Sequence, residues 1–331
     1  RSTLFPYTTL FRSPYRSNPS GVEMLFGWQR NDASAWDLCN CFPRKGFLLA
    51  YYDYDNDILG RSYTAGYFLE PVYRINKNAF FSFKAVAGLS YLTNPFDSIK
   101  NPTNRSYSTH ISGYLLIGAG IWVRLSDRWW LNASANYQHE SNGGVQQPNK
   151  GINWPTAGLA LSYQYNPRPY YIGVRKKDKF WKDQSIRWDL GIMAIAKRVL
   201  DENGDSKRLP LVGLTFQGSK QVGRINALTA GVEVYMDKAL RLQLKLDSVD
   251  ASHLRAGILI GHEFLLGKFI FNQRIGVSIY ENTPYFDRIY HRWGIQFRAN
   301  KNWSAGFNLQ AHRQVAEFVD FRIAYSWQKN N

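Results

Sequence analysis

The chain predicts an all-β fold: an antiparallel, up-and-down transmembrane β-barrel of about 12–16 strands. Three observations carry that expectation. Apolar and polar residues alternate with period two over long segments, the connections between segments alternate short and long, and aromatic residues, 16% of the 331, gather at segment ends. No run approaches the roughly 18 apolar residues that a spanning helix requires, so crossing a membrane by helices is excluded while crossing by strands is not. With 20% charged residues and only 13 prolines, the chain has too much aromatic surface to read as disordered.

The first thirteen residues nearly repeat themselves, Arg1-Ser2-Thr3-Leu4-Phe5 against Thr9-Leu10-Phe11-Arg12-Ser13, and show neither strand alternation nor helical period. Residues 1–13 are expected to be a non-native scar, with the native N-terminus and any signal peptide missing.

About sixteen strand-like segments follow, near 22–29, 46–54, 62–75, 79–93, 111–126, 128–140, 154–165, 186–199, 209–217, 225–236, 239–247, 253–265, 268–280, 288–299, 302–312 and 319–327. The justification is the same for each, and three show it plainly. In 154–165, Ala157, Leu159, Leu161, Tyr163 and Tyr165 share one face and Gly158, Ala160, Ser162 and Gln164 the other. In 268–280, Phe269, Phe271, Ile275, Val277 and Ile279 oppose Asn272, Arg274, Gly276 and Ser278. In 319–327, Val319, Phe321, Ile323, Tyr325 and Trp327 oppose Asp320, Arg322, Ala324 and Ser326. Period two over nine or more residues describes a strand with one apolar face. Many segments match the roughly 9–11 residues of a tilted membrane strand rather than the five or six of soluble ones.

The connections 75–78, 126–127, Gly267 and 300–301 are short, whereas 94–110, 141–153 and 281–287 are long. Short turns at one rim and long loops at the other describe an outer-membrane barrel, and Trp129, Trp130, Trp154, Tyr290, Trp293, Trp303 and Trp327 are placed as an aromatic girdle. A soluble β-sandwich or lipocalin-like barrel would show the same alternation with the apolar face inward. Strand length, small polar residues opposite the apolar face and aromatic ends favour the membrane. The halves also echo each other (Tyr91 and Asn94 to Asp97 against Tyr280 and Thr283 to Asp287), which leaves one wall of about 12–16 strands or two tandem eight-stranded barrels. The single wall is preferred, because a duplicated meander can join its own edges.

Chemistry concentrates at the end of segment 128–140. Leu131, Ala133, Ala135 and Tyr137 form its apolar face, and His139 and Ser141 continue that face, while Asn132, Ser134, Asn136 and Gln138 form the other. Residues two apart lie about 6.5–7 Å from each other along a strand, so an imidazole and a hydroxyl can bond there. A Ser–His pair is the minimum for nucleophilic acyl transfer. On the outside of a barrel it makes sense only for a substrate that is itself in the bilayer. Alone, His-x-Ser is a weak signal, since strands leaving a membrane commonly turn polar.

The stretch His139-Glu-Ser141-Asn142-Gly143-Gly144, with Gln147-Pro148-Asn149-Lys-Gly151-Ile152-Asn153 after it, resembles the His-x-Ser-Asn-x-Gly and Gln-Pro-Asn-x-Gly signature of the lipid A 3-O-deacylase family. The resemblance covers residues 22–165. It implies an outer-membrane esterase that removes an ester-linked acyl chain from lipid A, with lipid A or lipopolysaccharide as partner and no cofactor or metal. Carried over, Ser141 is the nucleophile, His139 the general base, Asn142 with a backbone N–H near Gly144 the oxyanion donor, and Asn149 a loop-shaping residue. Where the family's catalytic acid is expected this chain has Asn153, which can orient a histidine but cannot stabilise imidazolium by charge. Its parity puts it on the outer face, roughly opposite Ser141, whereas Glu140 should point inward. Residues 14–165 are then a deacylase-like barrel unit, 166–185 a linker, and 186–331 a second, degenerate half.

His312 follows the interior set Ser304, Gly306, Asn308 and Gln310 and lacks a serine two positions on, so it reads as a lumen residue. His262-Glu263 and Tyr290-His291 have no metal-ligand companions at usable spacing. Cys39 and Cys41 read as packing residues, two apart on a strand and poorly placed to bond. The surplus of 41 Lys and Arg over 25 Asp and Glu comes with no nucleic-acid module and no dense basic run beyond 175–179, so it suits anionic lipid rather than nucleic acid. A structural or channel-forming barrel with a decayed hydrolase site is the alternative function, and a soluble lipid-binding barrel the third.

Overall fold

The computed structural model describes residues 17–144, 146, 148–173, 179–202, 205–280, 285–312 and 315–329. Residues 1–13, most of the 175–179 basic run, Gln147, Thr283 and Pro284 lie outside the described residues. The chain forms two units.

In the first, a meander of antiparallel strands runs β1 (Ser20–Gln29), β2 (Arg44–Asp53), β3 (Arg61–Glu70), β5 (Ala79–Leu92), β6 (Ile111–Arg124), β7 (Trp129–Ser141) and β8 (Ile152–Tyr163), with the short β4 (Val72–Arg74) pairing with β5. Segment 62–75, expected as one strand, is broken at Pro71, which has no N–H to give a ladder. The connections after β2, β5 and β7 share the rim that carries the long loops, and those after β1, β3 and β6 the opposite rim.

In the second unit, β9 (Arg187–Leu200), β10 (Ser206–Gln221), β11 (Asn226–Asp237), β12 (Leu254–Leu266), β13 (Phe269–Tyr280), β14 (Ile289–Arg298), β15 (Trp303–His312) and β16 (Val315–Gln328) form a closed eight-stranded barrel. Closure runs through β16 and β9, from Phe321 opposite Ala194 to Gln328 opposite Arg187. The expected single wall through both halves is corrected: the second half closes on itself and leaves no edge to share, while the first is an eight-stranded sheet that runs from β1 to β8.

Alternation decides which side meets lipid. On β16, Phe321, Ile323, Tyr325 and Trp327 are exposed while Asp320, Arg322, Ala324 and Ser326 are buried. On β7, Leu131, Ala133, Ala135 and Tyr137 are exposed while Asn132, Asn136, Gln138 and Glu140 are buried. This is the inverse of a water-soluble barrel, where the apolar face would be hidden. The second bore is occupied by charge: Arg292 binds Asp320 at 2.6 Å and Glu233 at 3.0 Å, and Arg322 binds Asp320 at 3.3 Å. Arg292 and Arg322 are thus matched by carboxylates, which is the condition for placing ions away from water.

Three further sequence expectations are corrected by the geometry. Segment 239–247 is a helix, α1 of the second unit (Lys238–Leu246), not a strand. The Leu residues at every second position imitate strand alternation, but Asp237 caps the helix through the Leu240 N–H, and the buried residues Leu240 and Leu244 are one helical turn apart. Trp130, Trp154 and Tyr290 are buried inside, leaving Trp129, Trp293, Trp303 and Trp327 for the outer girdle. Neighbouring residues such as Trp129 and Trp130 cannot both face lipid on one strand. Finally, Cys39 and Cys41 are joined by a disulfide. They sit not on a strand but at the end of a short helix (Ala33–Cys39), where Asn40 adopts the left-handed conformation with φ 52° and folds the chain back to bring the two Cα atoms to 5.0 Å.

Two outcomes follow. Arg292→Met, which leaves Glu233 and Asp320 to share Arg322 in the bore, should lower the unfolding free energy of the barrel by about 3–5 kcal/mol in urea titrations from vesicles. Alkylation of the unfolded chain should find no free thiol until reductant is added.

Candidate active site

Register places the chemistry. Across β7 and β8, His139 pairs with Asn153, and across β6 and β7 Ser141 pairs with Gly113 and His139 with Leu115. Asn153 thus stands opposite His139 rather than Ser141 as expected, a better position for orienting the ring. His139 Nδ1 lies 2.7 Å from Asn153 Oδ1, and Nε2 lies 2.9 Å from Ser141 Oγ. An amide oxygen only accepts, so the Nδ1 proton is donated to it, and Nε2 is left to accept from the serine hydroxyl. The structure therefore brings His139, Ser141 and Asn153 together in one relay on the lipid-facing side. Ser141 is buried and His139 half-buried.

Glycines make room for the relay. Gly151 has φ 73°, and a Cβ there would come to 2.9 Å from His139 Cε1 and 3.1 Å from the Glu140 carbonyl oxygen. At Gly113 a Cβ would meet only the Ser141 carbonyl oxygen, at 3.4 Å, and β6 places no side chain directly opposite the serine. Gly151 belongs to the sequence motif, but pattern alone gave it no task; its task is to let the loop cross directly over the imidazole.

The loop after β7 is held by its own polar groups. Asn149 Oδ1 accepts the Asn142 N–H at 3.0 Å. The Asn142 amide donates to the Gln146 carbonyl at 2.8 Å and to Ser108 Oγ at 3.2 Å. Its hydrogens are therefore engaged by this loop and the one between β5 and β6, which the expectation of an oxyanion donor did not anticipate. Gly143 and Gly144 follow with φ 65° and 82°, a turn that side chains rarely tolerate. The Gly151 N–H reaches the Ser106 carbonyl at 2.8 Å, tying this loop to the one between β5 and β6. Ser108 and Gln146 were not singled out from sequence, because nothing local marks two loops as partners.

Further along the outer face from the relay lies a shallow hollow of about 440 Å³. Ala119, Ala133, Ala135 and Ala157 line it, with Ile121 and Leu159 at its sides. From Ala135 to His139 is four strand residues, about 13 Å. In the second unit His312 faces the bore, its Nε2 2.9 Å from Glu317, as its parity implied.

A barrel with an apolar exterior, a polar interior and no helix among the described residues long and apolar enough to cross a membrane belongs to the outer-membrane class. Residues 27–165 match the family model of lipid A 3-O-deacylase (PagL), and residues 186–330 that of the acyloxyacyl hydrolase C-terminal domain (PagL_C). Together these cover nearly the whole chain, and the chain belongs to the lipid A 3-O-deacylase family of outer-membrane hydrolases acting on lipid A acyl esters. No curated protein matches it. Among solved structures it is similar to a mutant of the monoaromatic hydrocarbon channel TodX (9% identity, 95% of this chain and 84% of that one, TM-score 0.18). It is also similar to the FrpB iron transporter from Neisseria meningitidis (8% identity, 95% and 64%, TM-score 0.21). Likenesses this distant carry no argument.

Gly151→Ala should slow acyl release by about tenfold or more while the barrel still inserts, because the added methyl displaces the imidazole. Release from lipid A by the purified variant, beside its heat-modifiable migration, measures both.

Proposed function

We propose that the protein removes an ester-linked fatty acyl chain from lipid A by attack of Ser141. The supporting observation is the lipid-side relay in which Asn153 holds His139 and His139 holds Ser141, within a family of lipid A deacylases. The Ser141 oxygen attacks the ester carbonyl as its proton passes to His139 Nε2. The tetrahedral intermediate then collapses, the C–O bond to the glucosamine breaks, and imidazolium returns the proton to the departing alkoxide. Water, deprotonated by the same nitrogen, attacks the acyl-serine and regenerates the enzyme as the fatty acid leaves. Asn153 fixes the ring tautomer without supplying charge. The oxyanion would be met at the Asn142–Gly144 turn, where the longer of the two Asn142 amide bonds, to Ser108, is the one to exchange. The alanine-lined hollow offers an apolar bed to the substrate's hydrocarbon.

A conducting role is not favoured, because the closed second barrel has its bore filled by the Arg292, Glu233, Asp320 and Arg322 network.

Mass spectrometry of lipid A from cells producing each form gives the test. Loss of one acyl chain is expected with the wild-type protein and none with Ser141→Ala or His139→Ala, although both insert. Asn153→Ala should slow release by about tenfold or more, and Asn153→Asp should sustain at least the wild-type rate. Continued deacylation by Ser141→Ala would refute the assignment.

A further inference from the structure

The residues that face the interior directly behind the relay form a tie across the first unit. Glu140, between His139 and Ser141, is fully buried on the inner face. Its carboxylate accepts from the Tyr54 hydroxyl and, at 3.4 Å, from Thr64 Oγ1. Tyr54 follows β2 and Thr64 lies on β3, and β5 and β6 stand between β3 and β7, so these bonds span the interior rather than follow the sheet. Trp154, the inward neighbour of Asn153, packs edge-on against the same Tyr54 ring at 5.4 Å and against Tyr52 at 5.6 Å. Ser62 Oγ lies 3.1 Å from the Tyr54 hydroxyl, and Thr64 and Ser90 bond each other at 2.7 Å. Among the described residues no cation forms an ion pair with Glu140, so the tie rests on hydroxyl donors.

We propose that Tyr54, through Glu140 on one side and Trp154 on the other, positions the Ser141–His139–Asn153 relay. All three are positioning residues. On a strand, the inward side chain at i+1 is the handle for the outward pair at i and i+2, because all three share one stretch of backbone. Here Glu140 holds the β7 end that carries the nucleophile and base, and Trp154 holds the β8 residue that orients the base. One tyrosine fixes both, and so sets the two distances of 2.9 and 2.7 Å that proton transfer needs. A displacement of about 1 Å at reacting groups costs on the order of a hundredfold in rate.

The inference rests on the serine-esterase reading, and its test keeps the two apart. Kinetics on purified lipid A in mixed micelles should show kcat lowered about tenfold or more by Tyr54→Phe and by Glu140→Ala, with KM within about twofold of wild type. Glu140→Gln, which keeps an acceptor for Tyr54, should recover most of the rate. The double variant Tyr54→Phe/Glu140→Ala should fall no further than Glu140→Ala alone, because the two act through one bond. Unchanged kcat in folded Tyr54→Phe, equal losses in Glu140→Gln and Glu140→Ala, or additive losses in the double variant would overturn the tie. Tyr54→Phe removes one oxygen and keeps the test open if Glu140→Ala does not fold. A second readout needs no activity: the imidazole nitrogen resonances of His139, assigned by their loss in His139→Gln, should move in Tyr54→Phe. Unmoved resonances would also overturn the tie, whereas an inactive wild-type enzyme with moved resonances would count against the esterase reading alone.

Discussion

Period-two alternation in strands that face lipid is the constraint on which the rest of this molecule depends. Backbone pairing satisfies the peptide groups where no water can, and the pleat then sends each side chain to one of two solvents. From that follow the exposed Phe321, Ile323 and Tyr325, the buried Asp320 and Arg322, and the position of the active-site candidates. His139 and Ser141 face outward because they continue the series of Leu131, Ala133, Ala135 and Tyr137. The same rule forces Glu140 and Trp154 inward, so the reacting groups and their supports are sequence neighbours on opposite faces of one sheet.

The two units use their interiors differently. In the first, the space behind the relay is filled by tyrosines, a tryptophan and single hydroxyls around the Glu140 carboxylate, with Tyr52, Tyr114 and Gln138 bonded in a chain. In the second, ion pairs among Arg292, Glu233 and Asp320 fill the bore, and Lys197 joins Asp237 and Glu317 nearer the loops. Aromatic and hydroxyl contacts are short-ranged and directional, which suits holding two strand ends at fixed separation. Paired charges make a bore costly to disturb, which suits a unit without an outward Ser–His pair among its described residues.

Much of this was legible in the sequence because alternation is a local signal. The strand spans, the inward Glu140, the lumen position of His312 and the outward His139–Ser141 pair need only parity. What needed coordinates is what parity does not contain. The Leu residues of 239–247 read as a strand, since helix and strand patterns overlap when apolar residues fall at every second position, and only the Asp237 cap and the Leu240–Leu244 face separate them. The cysteines depended on one left-handed residue, Asn40, that no periodicity announces. The exact partner of Asn153 depended on register across a ten-residue loop, and a shift of two residues separates Ser141 from His139. Edge closure, which divided one expected wall into two units, is a property of whole sheets rather than of any segment.

Peptide mapping after treatment with a long-chain alkyl fluorophosphonate dissolved in the surrounding bilayer probes the central claim most directly. A hydroxyl activated by its histidine on the lipid-facing side should carry the phosphonyl adduct at Ser141 and at no other serine. An unmodified Ser141 in the folded, membrane-inserted protein would contradict the account.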